Sequence, residues 1–487
     1  MARRCIQSIF TCLLTAFLTI SPSISKADNS LPDIGTAGVA ALSIDQEISY
    51  GNAFMRMARA GLPIVDDPVL NEYLNDLGSR LVNQAENVRF PFTFFFIKDD
   101  SINAAAFLGG KVKVHTGLML YTENESELAG VLAHEISHVT QRHIARYMED
   151  NSKSTPLSIA GLVGSIALAM VNPTAGIAAL NATVGLTIQN SINFTRENEY
   201  EADRIGIGVL YRAGFDPNGM VTFFQKLGEQ SRYASSVPEM LLTHPLTEKR
   251  ISEARNRANS FHVRNVSSSL DFYLAKSRIE VLYSPMTSES RLAFYQDQLS
   301  KQKAKSNQWL ALMYGKALAL MNLHRESEAL PVMAELIKLK PQDLFFNDSM
   351  TDLQISMKDY DSAIHRLAAI QKSNGDNPVI ILNLANVYLK AEQPEKTIQL
   401  LDGYTRNNQE STTAWELISE AYQKTNNLPG YYQAQAEYNS LLDKFEQAKD
   451  ELHMARANTS DAYSQARIDA RIAELEEMKK VEDGMKR

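Results

Sequence analysis

The chain has 487 residues, 44% hydrophobic and 22% charged, with 23 Gly and 16 Pro, the composition of a folded protein with material for two or three domains. Disorder, a collagen-like repeat and a multi-span membrane protein are excluded. The net charge of −8 becomes −11 if Arg3, Arg4 and Lys26 leave with a signal segment, and so acidic a surface argues against nucleic acid as a partner.

Residues 1–27 read as a secretory signal: Arg3 and Arg4 open it, Ile6 to Ile20 is mostly apolar, and Ser25-Lys26-Ala27 offers a small-residue cleavage site before Asp28. The apolar run is short for a membrane anchor. Both cysteines, Cys5 and Cys12, lie in this segment, so the exported chain is expected to have none. A cysteine nucleophile, disulfides and thiolate metal sites are thereby ruled out, and a transition metal would need imidazole and carboxylate ligands.

From Leu42 to Ala85 apolar residues recur at helical spacing, and Phe90 to Ile97 is a short β-rich run. Gly109-Gly110 opens Lys111-Val112-Lys113-Val114-His115, whose alternation predicts a strand with one wet face. Lysines on that face suit an edge strand, which would hold an extended peptide by backbone pairing. Glu123 to Asp150 predicts one long helix, acidic in its first turn and basic toward its end. Ser154 to Thr195 contains no charged residue and predicts either a buried helical hairpin or a flap that touches membrane or substrate.

Beyond about Arg264 the strand signals cease. Ala329, Ala363, Thr397 and Tyr431 align at a spacing of 34 residues, the period of the tetratricopeptide repeat. Ala317, Ala385, Tyr388, Tyr422, Trp415 and Pro341 fall at further positions of that repeat. Helix pairs of this kind must stack, and stacking creates a concave binding surface.

His134-Glu135-Ile136-Ser137-His138 is H-E-x-x-H inside the predicted helix. Residues at i and i+4 share a face, so both imidazoles reach one metal, while Glu135, about 100° round from His134, faces a water held there. A catalytic zinc needs a third protein ligand and an open position. Position 144 is Ile, so a third histidine ten residues after the first is missing, and His143 is expected to be solvated at the helix end. Asn198-Glu199-Tyr200-Glu201-Ala202-Asp203-Arg204 supplies three acids instead. Glu199 and Asp203 share a helix face, one suited to bind metal and the other to accept a histidine N–H, while Glu201 can pair with Arg204. Spacing alone leaves both Glu199 and Glu201 open as the ligand. Further on, His244 and Arg250 are read as lying near the metal, the alternative being a His-Pro turn before a helix in which Arg250 makes a surface ion pair.

H-E-I-S-H, the later E-Y-E-A-D-R, and Thr243-His244-Pro245-Leu246 with Arg250 together resemble the HtpX-like zinc metallopeptidases, here with C-terminal tetratricopeptide repeats. The likeness covers essentially the whole mature chain. It implies an α+β zincin-like metallopeptidase domain over residues 28–264, mainly helical with a small sheet, followed by an all-α tetratricopeptide-repeat solenoid over 265–487. It implies a zinc metalloendopeptidase of the gluzincin type, with one zinc per chain held by His134, His138 and Glu199. Glu135 would be the general base and Asp203 its catalytic supporter behind a histidine; His244 and Arg250 would act as a fourth metal ligand or as transition-state stabilisers. The resemblance also implies the periplasm of a Gram-negative bacterium, with peripheral membrane contact open. Unfolded or misassembled outer-membrane proteins would be the substrates, and the β-barrel assembly machinery would be the partner of the repeats. The competing class is a scaffold or chaperone whose peptidase site is largely dispensable.

Overall fold

Ser43 and Gln46 cap each other's backbone N–H to start helix α1 (Ile44–Gly61), and Asp67 accepts from the Leu70 N–H to start α2 (Pro68–Val82), with proline at its first position. These helices belong to a computed structural model that describes residues 42–152, 163–164, 167–168, 188–233, 238–262 and 266–486. The expected signal segment, the expected boundary at 264 and most of the uncharged stretch 154–195 lie outside the described residues.

The sheet holds β1 (Thr93–Ile97), β2 (Ala104–Phe107) and β3 (Lys111–His115) in the order β1-β3-β2, with β1 parallel and β2 antiparallel to β3. The strand expected at an edge is therefore central, and Lys111, Lys113 and His115 are buried. Lys111 Nζ donates to Thr93 Oγ1 at 3.2 Å, and Glu410 from the repeat region lies near it. Burial pushes both ammonium groups down, while Glu410 at Lys111 and Glu239, Asp99 and Glu135 at Lys113 work to keep them charged. The alternation marks a polar face covered by carboxylates rather than by water. The outer edges belong to β2 and to β1, and along β1 the segment at Ile64 and Val65 already pairs with Phe96 and Ile97.

After α3 (Thr116–Tyr121), the single helix expected over Glu123–Asp150 is broken into α4 (Glu125–Thr140) and α5 (His143–Ser152). Arg142 takes φ +54° at the break. Its Nε donates to Glu47 Oε1 at 2.7 Å and its Nη2 to the Leu42 carbonyl at 2.6 Å. A left-handed L-residue costs about 1–2 kcal/mol, and charge-assisted hydrogen bonds of about 1.5–3 kcal/mol each offset that. Among the described residues, this half continues with α6 (Ile188–Arg212), α7 (Asn218–Tyr233), α8 (Glu239–Thr243) and α9 (Glu248–Ala258).

The remainder is helical throughout its described residues. Helices α10 (Leu270–Leu282) and α11 (Ser288–Leu299) lead into the pairs α12 (Asn307–Asn322) with α13 (Glu326–Leu339), and α14 (Leu344–Ser356) with α15 (Tyr360–Asn374). Next come α16 (Pro378–Lys390) with α17 (Pro394–Asn407), then α18 (Thr412–Lys424) with α19 (Leu428–Leu441). Last are α20 (Phe445–Ala457) and α21 (Ala462–Lys486). The 34-residue period is physical: His324, Lys358, Glu392 and Asn426 all take left-handed φ of 53°, 60°, 55° and 56°, turning the chain inside each pair. Ala329, Ala363 and Thr397 are fully buried where paired helices meet, whereas Tyr431 stays partly exposed, so the fourth repeat is the least regular.

One apolar core runs from α2 and the sheet through α4 and α7 into α10 and α12 to α14. Arg278 on α10 crosses the same junction, with Nε 2.6 Å from Asp67 Oδ2 and Nη2 2.8 Å from Asp348 Oδ2. The last helix returns to the first: Glu482 of α21 pairs with Arg56 of α1, and Met485 joins a core with Phe54 and Met148. The fold is thus the expected α+β domain with a small sheet followed by helical repeats, and the two halves share a core.

Candidate metal centre

Every residue of α4 except His138 is buried, and Asn124 fixes its start by accepting the Glu127 N–H at 3.1 Å. Helix α6 lies tightly against it. A Cβ added at Gly206 would sit 3.1 Å from the Ala133 carbonyl oxygen, so the glycine permits the approach that aims Glu199 and Asp203 at His134.

The ring atoms His134 Nε2 and His138 Nε2 stand 3.0 Å apart, each 3.3 Å from an oxygen of Glu199. His244, just beyond α8, brings Nδ1 to 3.3 Å from His134 Nε2 and 3.0 Å from Glu199 Oε1. His134, His138, Glu199 and His244 each offer one donor atom, all within 4.8 Å of one another. In a tetrahedral site with metal–nitrogen bonds of about 2.0–2.1 Å, neighbouring donors lie about 3.3 Å apart, so this set fits a zinc-sized cation. Charge points the same way, since Glu135, Glu199 and Asp203 are all buried at the centre and Arg250 pairs with only the last two.

Protonation follows from these contacts. Burial pushes His138 down to about 3, which leaves a lone pair for a metal. Burial also opposes charge on His134, but Asp203 and Glu199 outweigh it and lift the ring to about 10. Glu199 is raised by burial and lowered more strongly by His244, Arg250 and His138, ending well below the usual carboxylate range.

Glu135 follows His134 on α4 and turns to the sheet. Its Oε2 accepts the Ala106 backbone N–H at 2.9 Å, while its Oε1 is buried without a hydrogen-bond partner, 3.5 Å from His244 Nε2. Burial raises its pKa, as a proton acceptor near neutrality requires. His138 and His244 keep 16% and 12% of their side chains exposed, so the centre opens to solvent on their side.

One alternative is closed here and one expectation is corrected. Arg250 makes no surface ion pair: it is buried, with Nε and Nη2 at 2.7 and 2.8 Å from the two oxygens of Asp203 and Nη1 at 2.8 Å from Glu199 Oε2. Asp203 in turn has Oδ1 3.0 Å from His134 Nδ1. His143 is not solvated either, because the break at Arg142 turns it inward; it is buried with Nδ1 2.9 Å from His138 Nδ1 and Nε2 3.2 Å from Glu201 Oε2. Glu201 approaches Arg204 only to 3.8 Å and prefers Arg146, at 2.8 Å. The His143 hydrogen bond is the largest influence holding its carboxyl down to about 2. Neither the Ala106 N–H nor His143 carries a sequence signal for these positions.

A model of peptidase family M48 matches residues 68–258, which contain every donor just described, and a tetratricopeptide-repeat model matches residues 354–421. The beta-barrel assembly-enhancing protease of Escherichia coli strain K12 is 43% identical over 461 residues, covering 94% of each chain. The chain belongs to peptidase family M48. As an M48 member with repeats it is a metalloprotease. The beta-barrel assembly-enhancing protease of Yersinia pestis is 45% identical over 450 residues, 92% of each chain, so the likeness spans both the M48 region and the repeat region of this chain. Metalloprotease LoiP of Escherichia coli is 29% identical over a shorter stretch, 39% of this chain and 70% of its own. Among the described residues, no helix is long and apolar enough to cross a membrane.

Proposed function

We propose that this M48 protein is a zinc metalloendopeptidase of the H-E-x-x-H type with a glutamate ligand. It works in the periplasm, degrading misassembled outer-membrane β-barrel proteins and promoting the assembly of others. The observation that carries this reading is the convergence of His134, His138, Glu199 and His244 beside the unpartnered Glu135 Oε1. The likeness to beta-barrel assembly-enhancing proteases over 94% of the chain supports the client class.

His134, His138 and Glu199 would hold the zinc, one per chain. When bound, zinc supplies a Lewis acid that polarises a peptide carbonyl and acidifies water. Glu135 takes the proton of the attacking water and returns it to the leaving amine, with the Ala106 N–H fixing its other oxygen; such transfer contributes roughly 10²- to 10⁴-fold. Because β3 is central, the extended substrate pairs with the outer edge of β2, beside the Ala106 N–H that Glu135 holds. Asp203 orients His134, and Arg250 orients Asp203. The repeats recruit the client or the assembly machinery.

His244 would act as a latch: with zinc bound, its imidazole, the fourth of the converging donors, would compete with water for the metal until substrate or a partner displaced it. That fourth donor also favours a second reading, in which the protein serves chiefly as a repeat-based chaperone or scaffold. Zinc content of the purified chain, with casein cleavage that chelation abolishes and zinc restores, tests the first reading. An inactive Glu135→Gln protein that fully supports outer-membrane assembly in cells would establish the second.

A further inference from the structure

Five positions separate His138 from His143, and on an unbroken helix their side chains would diverge by about 140°. The left-handed turn at Arg142 removes that divergence and sets the two rings Nδ1 to Nδ1 at 2.9 Å. The Nε2 of His138 is the atom that joins the donor set, so its Nδ1 carries the N–H and His143 Nδ1 accepts it. His143 is then protonated on Nε2, and that N–H donates to Glu201 Oε2 at 3.2 Å. The same oxygen accepts from Arg146 Nη1 at 2.8 Å.

We infer that His143 and Glu201 are positioning residues that hold His138 in its metal-binding tautomer and orientation, through His138 Nδ1–H to His143 and His143 Nε2–H to Glu201. The inference rests on the reading of the donor set as a zinc site. It accounts for all three acids of Asn198-Glu199-Tyr200-Glu201-Ala202-Asp203: one binds metal, and the other two back one histidine each. Asp203 reaches His134 directly and is itself held by Arg250. Glu201 lies about 200° round α6 from Glu199, on the other side of the helix, so it reaches His138 only through an interposed imidazole and is held by Arg146. Partners of this kind fix ring orientation and raise ligand basicity, and their loss weakens metal binding roughly 10- to 100-fold.

The test is zinc affinity of the full-length chain, measured by competition with a chelator. H143L should bind zinc roughly 10- to 100-fold more weakly than wild type, yet still fill to one equivalent at saturation. H143Q should restore most of the affinity, because its amide oxygen accepts from His138 and its amide N–H donates to Glu201. A packing role would show no such rescue, since Gln fills the space no better than Leu. Adding E201L to H143L should cost nothing further, the relay being already cut. Wild-type affinity in H143L, or affinity in H143Q as low as in H143L, would overturn the inference. A wild-type chain that binds no zinc would overturn the zinc-site reading itself, and this inference with it.

Discussion

Arg250 grips Asp203 through two parallel bonds, Nε to Oδ2 at 2.7 Å and Nη2 to Oδ1 at 2.8 Å, and commits Nη1 to Glu199 and the Pro245 carbonyl. With its guanidinium engaged on every side, Arg250 acts by holding two carboxylates in place. Arg250→Ala leaves both buried without their counter-charge and should destabilise the chain by about 3–5 kcal/mol. Arg250→Lys keeps the charge but not the fork, and should fall between. Chemical denaturation of the metal-free proteins measures both, and wild-type stability in Arg250→Ala would refute the grip.

The identity of the third ligand is decided by two substitutions. Glu199→Gln should lose zinc, and Glu201→Gln should still reach one equivalent at saturating zinc. Elemental analysis with the opposite outcome would move the ligand by two residues along α6.

Much of this site is legible in the sequence because helix geometry alone relates its parts. His134 and His138 are one turn apart on α4, as Glu199 and Asp203 are on α6, and no tertiary contact is needed to see either pair. His143 is illegible for the opposite reason: its place depends on a left-handed Arg142, and that break is imposed by Glu47 and the Leu42 carbonyl from the distant α1. Lys111 and Lys113 mislead in another way. Their alternation reports a polar face, but whether water or carboxylates cover it is set by residues such as Glu410 and Glu239, far along the chain. The repeat period is legible because the same turn recurs at His324, Lys358, Glu392 and Asn426. The core that runs from the sheet and α4 into α10 and α12 to α14 is visible only in three dimensions.

His244→Ala separates a latch from transition-state support by sign. A latch predicts faster basal cleavage of an unfolded substrate with zinc retained, because the fourth position is freed. Transition-state support predicts a lower catalytic rate, again with zinc retained. Cleavage at the wild-type rate would leave His244 with neither role.

Glu482 is buried where the last helix meets the first, and burial together with Asp443 pushes its carboxyl up to about 8, against the pull of Arg56. A carboxyl raised above its unfolded value favours the folded state fully below the unfolded pKa, and that contribution is lost as pH rises through the folded value. Glu482→Gln does not titrate, so its melting midpoint should gain on wild type from about pH 5 up to about pH 8 and level off above that. A difference that stays flat over that range would remove Glu482 from the pH dependence of the junction.

The most direct measurement of the central claim is zinc content and casein cleavage of Glu135→Gln beside wild type. The three proposed ligands are untouched while the proton acceptor is lost, so the variant should hold close to one equivalent of zinc and cleave nothing detectable. Cleavage at the wild-type rate by zinc-loaded Glu135→Gln would contradict the account.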